Sequence, residues 1–196
     1  SLYNETADGA IPPTPVLMGV GLVDDIRKCV TSDMKKEGTI WIVGKTKEEM
    51  GASLYYRTLG IECKNVPTTD FNSFIPRMEQ LIQAIENGEV MACHDISNGG
   101  LALAIIEMAM SGTGAEINLN SDLRSDIELF SESNGRWVVQ VTPGFESKFE
   151  KRFDFAEKIG DVNDKIIFNK NGDQIANLQI DKVREEWTNP LWERLA

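Results

Sequence analysis

The chain has 196 residues, of which 20 are Lys or Arg and 31 are Asp or Glu, so its formal net charge is −11. This length suits one well-buried domain, and 41% apolar with 26% charged residues is an ordinary globular composition that excludes a disordered chain. The acidic balance excludes sequence-independent binding to nucleic acid or to an anionic membrane, because both require a basic surface.

The sequence carries no signal for a membrane or for secretion. The longest apolar run, residues 16–23, is far shorter than the ~20 residues that cross a bilayer. No basic segment followed by an apolar one opens the chain, so we expect no secretory signal. The three cysteines, Cys29, Cys63 and Cys93, form no C-x-x-C pair, which indicates neither a disulfide framework nor a zinc site. We therefore expect a cytoplasmic protein.

The first half of the chain predicts a linker followed by strands and helices. Residues 1–14 are rich in Gly, Pro and polar residues and predict an incoming linker, and residues 15–196 form the domain itself. Residues 16–23 predict a buried strand, residues 39–44 a second strand, and residues 46–59 a helix that ends at Gly60. A clearer helix begins at Asp70 or Asn72 and ends near Gly88, because apolar residues recur at spacings of three and four.

The second half continues to mix the two kinds of element. Residues 90–93 predict a strand of a sheet covered on both faces, and an apolar helix follows from Leu101 to about Ser111. Further strands are predicted at residues 116–120, 136–141, 165–168 and 174–178, and helices at residues 145–153 and 181–187. We therefore predict an α+β fold, a mixed β-sheet covered by helices.

The most informative motif is HDISNGGL, which starts at residue 94, where a strand ends and the apolar helix begins. Gly99 and Gly100 would let a ligand approach the backbone, and free N–H groups at a helix start favour an anion such as phosphate. Asp95 is suited to Mg²⁺ beside that anion, since Mg²⁺ prefers oxygen ligands. A structural alternative remains open, in which Ser97 or Asn98 caps the helix and the glycines only permit close packing.

Two further features invite a chemical interpretation. His94 is the only histidine and suits a general base, but it has no second His or Cys at ligand spacing, and a structural histidine is the alternative. An N-terminal serine can act as a nucleophile, although Ser1 more simply marks a cut within a longer protein.

A third motif, LFSESNGR, starts at residue 129 and leads into a strand. Ser133, Asn134 and the following glycine indicate a turn. Glu132 and Arg136 on either side of the turn suit either a polar ligand or a surface ion pair with each other.

Taken in order, five segments resemble the C-terminal part of phosphoribosylformylglycinamidine synthase of the small, multi-subunit type. They are SLYNET at residue 1, IPPTPVLMGVG at 11, GASLY at 51, HDISNGGLALAIIEMAM at 94 and LFSESNGRWVVQV at 129. The resemblance covers residues 1–141, and the tail from Thr142 onward matches only in general character. The fold implied is similar to the C-terminal domain of aminoimidazole ribonucleotide synthetase.

The resemblance implies a role in purine biosynthesis. The family is an ATP-dependent ligase that converts formylglycinamide ribonucleotide to its amidine, with ATP, Mg²⁺ and ammonia that a glutaminase subunit delivers. A small accessory subunit and upstream ATP-binding domains of the same polypeptide are the other implied partners. This chain would be the C-terminal domain of the second half of a duplicated subunit, inactive alone, with residues 1–14 as the tail of the upstream domain.

The resemblance also carries individual positions. Ser1 falls on a position that contacts the ribonucleotide substrate, and a Gly-Asn pair is expected just before it. Asp95 matches a metal ligand of the first half of the family's protein. Glu132, Ser133 and Asn134 match a first-half segment that touches substrate. Together with these, we predict a phosphate- or nucleotide-binding set of Asp95, Ser97, Gly99, Gly100, Glu132, Ser133, Asn134 and Arg136.

The resemblance assigns no catalytic residue to this chain, because the family's catalytic histidines belong to the upstream half. Two departures, Asn98 for the usual Asp and Leu54 for the usual Glu, reduce the polar character of the predicted site. Two alternatives therefore stay open. This half is a non-catalytic scaffold that holds a nucleotide and supports domain or subunit assembly, or the chain belongs to a kinase or selenophosphate-type member of the same superfamily.

Overall fold

A computed structural model describes residues 4–11 and 16–195, with side chains through residue 190. A short hairpin comes first, formed by β1 (Asn4–Thr6) and β2 (Gly9–Ile11), within the predicted linker. The remaining strands are β3 (Thr39–Val43), β4 (Val90–Asp95), β5 (Gly114–Leu119), β6 (Trp137–Val141), β7 (Ala156–Asn163), β8 (Ile166–Lys170) and β9 (Asp173–Leu178). The helices are α1 (Leu54–Leu59), α2 (Phe71–Glu86), α3 (Gly100–Ala109), α4 (Ser125–Phe130), α5 (Glu146–Glu150) and α6 (Ile180–Leu195).

Seven strands form one mixed sheet in the order β4-β6-β3-β7-β5-β8-β9. Neighbouring strands are antiparallel except for β5 and β8, which run parallel. β3 lies between β6 and β7, so Thr39 pairs with Val141 on one side and with Asp161 on the other.

Alternation along β3 explains why the sheet is covered on both faces. Ile40 and Ile42 point into a core that α3 closes, and Trp41 and Val43 point into a second core that includes residues of α2 and α5. Successive side chains of a strand face opposite sides of the sheet, so an apolar strand requires a covering layer on each side. The predicted α+β fold with a mixed sheet covered by helices is confirmed.

The helix α2 follows its predicted signals. The Asp70 side chain accepts the N–H of Asn72, and apolar residues recur along the helix up to Ile85. Pro76 stands inside the first two turns. Pro76 is the sixth residue of α2, so it removes one intrahelical N–H···O=C hydrogen bond, and the helix nevertheless continues to Glu86. Leu81 and Ala84 face the core, whereas Phe71, Ile75 and Ile82 remain exposed.

A buried carboxylate joins the start of β4 to the segment after α5. Glu89 is fully buried and accepts hydrogen bonds from Arg152 at 3.2 and 2.5 Å, and its Oε1 lies 2.8 Å from the Lys148 ammonium. Burial acts to raise the pKa of Glu89, but the bonds from Arg152 and Lys148 outweigh it and hold the pKa below its ordinary value.

Two of the predicted elements are wrong. Residues 16–23 form no strand, and Val16, Leu17 and Leu22 are 88%, 95% and 99% exposed, because no other part of the described chain covers them. The predicted helix over residues 46–59 is confined to Leu54–Leu59. Ala52 has a positive φ of 60°, which no α-helix accommodates, and Ser53 is the N-cap.

The hairpin strands β1 and β2, the strand β7 and the helix α4 were not predicted, and one predicted strand lies elsewhere in the sheet than its pattern indicates. β7 has charged residues on a strand that the sheet nonetheless pairs on both edges, and α4 precedes the LFSESNGR turn. β4 is covered on both faces as predicted, yet it ends the strand order, where only Thr31 bridges its outer side at Ala92. Among the described residues no helix is long and apolar enough to cross a membrane.

Candidate functional site

The candidate site lies at the sheet edge where β3 and β4 end and β6 begins. Trp137 pairs with Val43 on one side and with Asp95 on the other, so the loops that follow β3 and β4 meet the loop that precedes β6. The N–H of Ile96 donates to the carbonyl of Arg136, which ties two of these loops together. The HDISNGGL and LFSESNGR motifs are therefore neighbours in space.

The glycine pair lets α3 begin in close contact with the end of α4. Both residues have positive φ, 79° at Gly99 and 67° at Gly100. A Cβ on Gly100 would lie 2.6 Å from the carbonyl oxygen of Leu129 and 2.7 Å from the Cα of Phe130. The glycines thus satisfy a packing requirement, as the structural alternative stated, and Gly99 rather than Ser97 or Asn98 is the N-cap.

Glu132 occupies the start of two helices. Its Oε1 accepts the N–H of Gly99 and the N–H of Leu54, each at 2.8 Å, so one carboxylate lies at the N-termini of α3 and α1. Free N–H groups and the helix dipole make this the position where an anion is most favourable. The Glu132 carboxylate therefore accepts the Gly99 N–H that we predicted to bind a phosphate. The Gly100 N–H donates to the Ser97 carbonyl.

Arg136 is a buried organiser of the loop before β6. Its guanidinium is almost fully buried and donates to the carbonyls of Ser131 and Ser133 and to Thr46 Oγ1. Burial lowers the pKa of Arg136 to about 10, while the charges of Glu49 and Glu132 act in the opposite direction. The guanidinium stays protonated at neutral pH, so its charge offsets these two carboxylates.

Two buried serines bind the same loop to the segment after β3. Ser131 Oγ donates to the Lys47 carbonyl at 2.8 Å, and Ser133 Oγ accepts the Lys47 N–H at 3.2 Å. Within this segment Glu49 is buried; its Oε1 accepts from the N–H and the hydroxyl of Thr68, and its Oε2 has no hydrogen-bond partner among the described residues. Ser131, Thr46 and Glu49 are site residues that sequence reasoning missed.

Part of the predicted set lines an open cleft of about 450 Å³. Asp95, Ser97, Asn134 and Arg136 border it, and Phe71, Phe74 and Trp137 form an aromatic wall, with the Phe74 and Trp137 rings stacked 5.6 Å apart. The Asn134 amide reaches across to Thr69 Oγ1 at 2.8 Å. Gly99, Gly100, Glu132 and Ser133 do not border this cleft, and Ser1 and the Pro-rich residues 12–15 lie outside the described residues.

His94 is held by partners within the chain. Its Nδ1 lies 2.7 Å from the Asp95 carbonyl oxygen and its Nε2 lies 3.0 Å from a Glu107 carboxylate oxygen. The ring thus connects the end of β4 to α3, as expected for a structural histidine. Next to it, burial and the charge of Asp95 raise the pKa of the Cys93 thiol to about 12, which keeps this thiol protonated and unreactive.

The described residues contain no group of three or more His, Cys, Asp or Glu side chains that could hold a metal ion. The Asp95 side chain is 66% exposed, and its neighbours on the cleft are Ser97 and Asn134 rather than further carboxylates. Within the part of the chain that the structure describes, this donor set does not fit a complete metal site.

The fold and the site define a class of protein: an α+β domain with a seven-stranded mixed sheet, an apolar helix that starts at a glycine pair, and a polar cleft at the sheet edge. The sequence profile described as "AIR synthase related protein, C-terminal domain" matches residues 66–168, and the chain belongs to this family. The resemblance to phosphoribosylformylglycinamidine synthase and its superfamily is confirmed.

Two curated relatives of the same name match this chain along almost its whole length. "Phosphoribosylformylglycinamidine synthase subunit PurL" of Thermoanaerobacter sp. (strain X514) is 39% identical over 202 residues, which is 98% of this chain and 28% of the relative. The protein of the same name from Methanothrix thermoacetophila is 35% identical over 205 residues, 100% of this chain and 27% of the relative. The chain thus spans little more than a quarter of these relatives.

Solved structures share the fold. "T. maritima PurL complexed with FGAR" superposes with a TM-score of 0.69 at 18% identity, covering 81% of this chain and 30% of that one. E. coli HypE superposes with a TM-score of 0.55 at 18% identity, covering 77% of this chain and 52% of that one. At these identities the likeness concerns the fold alone.

Proposed function

We propose that this chain is the C-terminal domain of the second half of the synthase subunit of phosphoribosylformylglycinamidine synthase. In that role it contributes to the ATP-dependent conversion of formylglycinamide ribonucleotide to its amidine in purine biosynthesis. The observation that carries the proposal is the 39% identity along 98% of the chain to a relative of that name. We also place it in the cytoplasm, which agrees with three free cysteines.

The domain acts together with other parts of a longer polypeptide. Its relatives are more than three times its length, and its apolar residues 16–23 are uncovered. A contiguous exposed apolar segment is typical of an interface, so we propose that an upstream ATP-binding domain covers it. A solved relative described as the structure of PurLQS from Thermotoga maritima supports glutaminase and accessory subunits as further partners.

We propose that the cleft at the sheet edge binds a phosphate-bearing ligand. Asp95, Ser97, Asn134 and Arg136 border it. The rest of the predicted set, Gly99, Gly100, Glu132 and Ser133, belongs to the loops beside it, where Glu132 accepts the N–H of Gly99. Structures described as T. maritima PurL complexed with ATP, AMPPCP or ADP support nucleotide binding in this family. Ser1 is proposed to contact the ribonucleotide substrate.

We propose that any Mg²⁺ at the cleft is shared between this chain, the phosphates and other domains. Since the described residues offer no complete metal site, Asp95 would supply a single oxygen ligand to an Mg²⁺ that phosphates and other domains hold. No step of the reaction is assigned to this ion on the present chain.

The test is turnover of formylglycinamide ribonucleotide by the full-length protein with ATP and ammonia. Asp95→Asn and Asn134→Ala are expected to raise KM for nucleotide or substrate or to lower kcat by at least about tenfold, since each removes a polar contact in the cleft. Asn177→Ala on β9, far from the cleft in the strand order, is the matched control and is expected to have no effect. Failure of the unmodified full-length protein to turn over this substrate would overturn the assignment.

One observation favours the scaffold alternative. The Gly99 N–H already donates to Glu132, so a phosphate at this helix start would have to displace a carboxylate. Under this alternative the full-length protein remains active while Asp95→Asn and Asn134→Ala change neither kcat nor KM. The same result would leave the domain with an assembly role.

A further inference from the structure

The exposed side of α2 carries a row of large apolar side chains, which we call the α2 row. Its members are between 36% and 64% exposed: Phe71, Ile75, Met78 and Ile82. Their spacing of four, three and four residues places them in one line along the helix, about 17 Å long, next to the buried face of Leu81 and Ala84. A surface helix normally presents polar residues to water, so a continuous apolar row indicates a face that another surface covers.

The two ends of the α2 row adjoin two features already described. At one end Phe71 borders the cleft at the sheet edge. At the other end Ile82 borders a second cavity, of about 570 Å³, together with Leu22 and Val23 of the exposed segment 16–23. One apolar surface therefore connects the uncovered segment to the cleft.

The charged residues exposed beside the α2 row are acidic. Glu79 and Glu86 lie on the exposed part of the helix, and neither has an ion pair among the described residues. The one basic residue of α2, Arg77, is buried and pairs with Asp154. The complement of this face is a surface with apolar side chains opposite the row and Lys or Arg at its edges. A second copy of the same face would instead bring like charges together, which disfavours it.

We propose that the upstream part of the same polypeptide docks on the α2 row, so that one interdomain interface runs from residues 16–23 along α2 to the cleft. The inference rests on the proposed function, in which the chain is part of a protein more than three times its length. A domain that covers residues 16–23 and reaches the cleft meets the α2 row between them, because Ile82 adjoins the segment and Phe71 adjoins the cleft. Docking there would also exclude water from the mouth of the cleft beside Phe71.

The test is the rate at which a maleimide labels added thiols in the isolated 196-residue chain and in the full-length protein. Ile75→Cys and Ile82→Cys, made one at a time, place a thiol on the α2 row. Ile175→Cys on β9 is the matched control, since Ile175 is 42% exposed against 45% for Ile75 and lies on the edge strand farthest from β4. Cys29 is exposed and borders the second cavity, so it is a probe in the unmodified protein. Peptide mass spectrometry assigns each label, and circular dichroism checks that each variant folds.

We expect all added thiols to react at similar rates in the isolated chain. In the full-length protein the thiols at positions 75, 82 and 29 should react at least about tenfold more slowly, because the upstream domain covers them, while Ile175→Cys keeps its rate. Equal rates at Ile75→Cys and Ile175→Cys within the full-length protein would overturn the proposal, and this comparison needs no isolated chain.

Two other occupants of the α2 row would give different results. If a second copy covers it, labelling of Ile75→Cys in the isolated chain slows as the protein concentration rises. If a glutaminase or accessory subunit covers it, labelling of the full-length protein slows only after that subunit is added. Either result would overturn docking of the upstream domain.

Turnover of formylglycinamide ribonucleotide is measured on the same full-length preparation, which separates this inference from the proposed function. Protected thiols without turnover would support the interface and contradict the proposed function. Turnover with unprotected thiols would support the proposed function and overturn the interface.

Discussion

Replacing Glu132 with Ala is expected to lower the free energy of unfolding more than replacing any other half-buried carboxylate of the loops. The carboxylate accepts two backbone N–H groups at 2.8 Å, one at the start of α3 and one at the start of α1. Hydrogen bonds to a charged group contribute about 1.5–3 kcal/mol each where water is excluded, and loss of an N-terminal cap costs about 0.5–2 kcal/mol. The Gly99 end is buried and the Leu54 end is exposed, so water replaces only the second bond.

The expected loss in the free energy of unfolding is therefore about 2–3 kcal/mol. Equilibrium urea unfolding followed by circular dichroism measures it as a midpoint about 1 M lower, for a typical slope of about 2–3 kcal/mol per M. Glu132→Gln keeps an oxygen acceptor but loses the charge, so about 1 kcal/mol should be lost. Glu150→Ala, an exposed carboxylate on α5, should change stability by less than about 0.5 kcal/mol. A Glu132→Ala midpoint equal to that of Glu150→Ala would refute the idea that this carboxylate fixes two helix starts.

The other predictions concern the same loops and one distant ion cluster. Gly100→Ala should lose about 2–4 kcal/mol because its Cβ would overlap backbone, whereas Gly172→Ala, at a positive φ in open space, should lose only about 1–2 kcal/mol; urea unfolding of both variants decides this. Arg136→Met should lose about 3 kcal/mol or more, since it leaves two carbonyls without a donor and removes the buried positive charge that offsets Glu49 and Glu132, and a result near zero would contradict the organising role. Because the folded pKa of Glu89 is depressed, its contribution is present above its ordinary pKa of 4.5 and is lost as pH falls below it. The stability difference between the wild type and Glu89→Gln should thus be larger at pH 7 than at pH 3.5, and a constant difference would contradict the pairing with Arg152.

Elements whose signals are local were predicted from the sequence. β3 alternates apolar residues between two cores, and α2 shows both an Asp70 cap and an apolar repeat, so their neighbours in the chain specify them. The apolar run at residues 16–23 is also local, but it indicates only that the segment favours burial. Whether a surface covers it depends on residues far away in the sequence, on which a local pattern contains no information.

The segment after β3 shows why a helix was predicted where a loop exists. Gly51 lies so close to the backbone of Cys63 and Asn65 that a Cβ would approach them within 2.8 Å, and its N–H donates to the Asn65 carbonyl. The small residues of this segment therefore serve close packing, as their composition indicates, but against a loop rather than another helix. The positive φ of Ala52 completes a turn that no propensity of alanine predicts.

The sequence predicted a set of candidate site residues, whose binding role stays a prediction, but not the contacts among them. The two motifs meet because β4 and β6 are paired, and four members of the predicted set border one cleft. One partner each of Glu132 and Ser133, Leu54 and Lys47, comes from about 80 positions away, a distance at which sequence spacing carries no information. Glu49 was missed for the same reason, since its role depends on Thr68.

The place of β3 in the sheet also sets the order in which the chain can fold. β3 is made early, yet both of its partner strands come late, with Thr39 paired to Val141 and to Asp161. Such pairings require large loops to close before any contact compensates the lost chain entropy, and folding rates fall as contacts become less local. During synthesis the apolar residues of β3 stay without both partner strands until β7 has left the ribosome. The apolar residues 16–23 lie just upstream of them in the chain. β3, an interior strand of the native sheet, is therefore exposed to aggregation until its late partner strands have been made, and its pairing is completed only after most of the domain has been made.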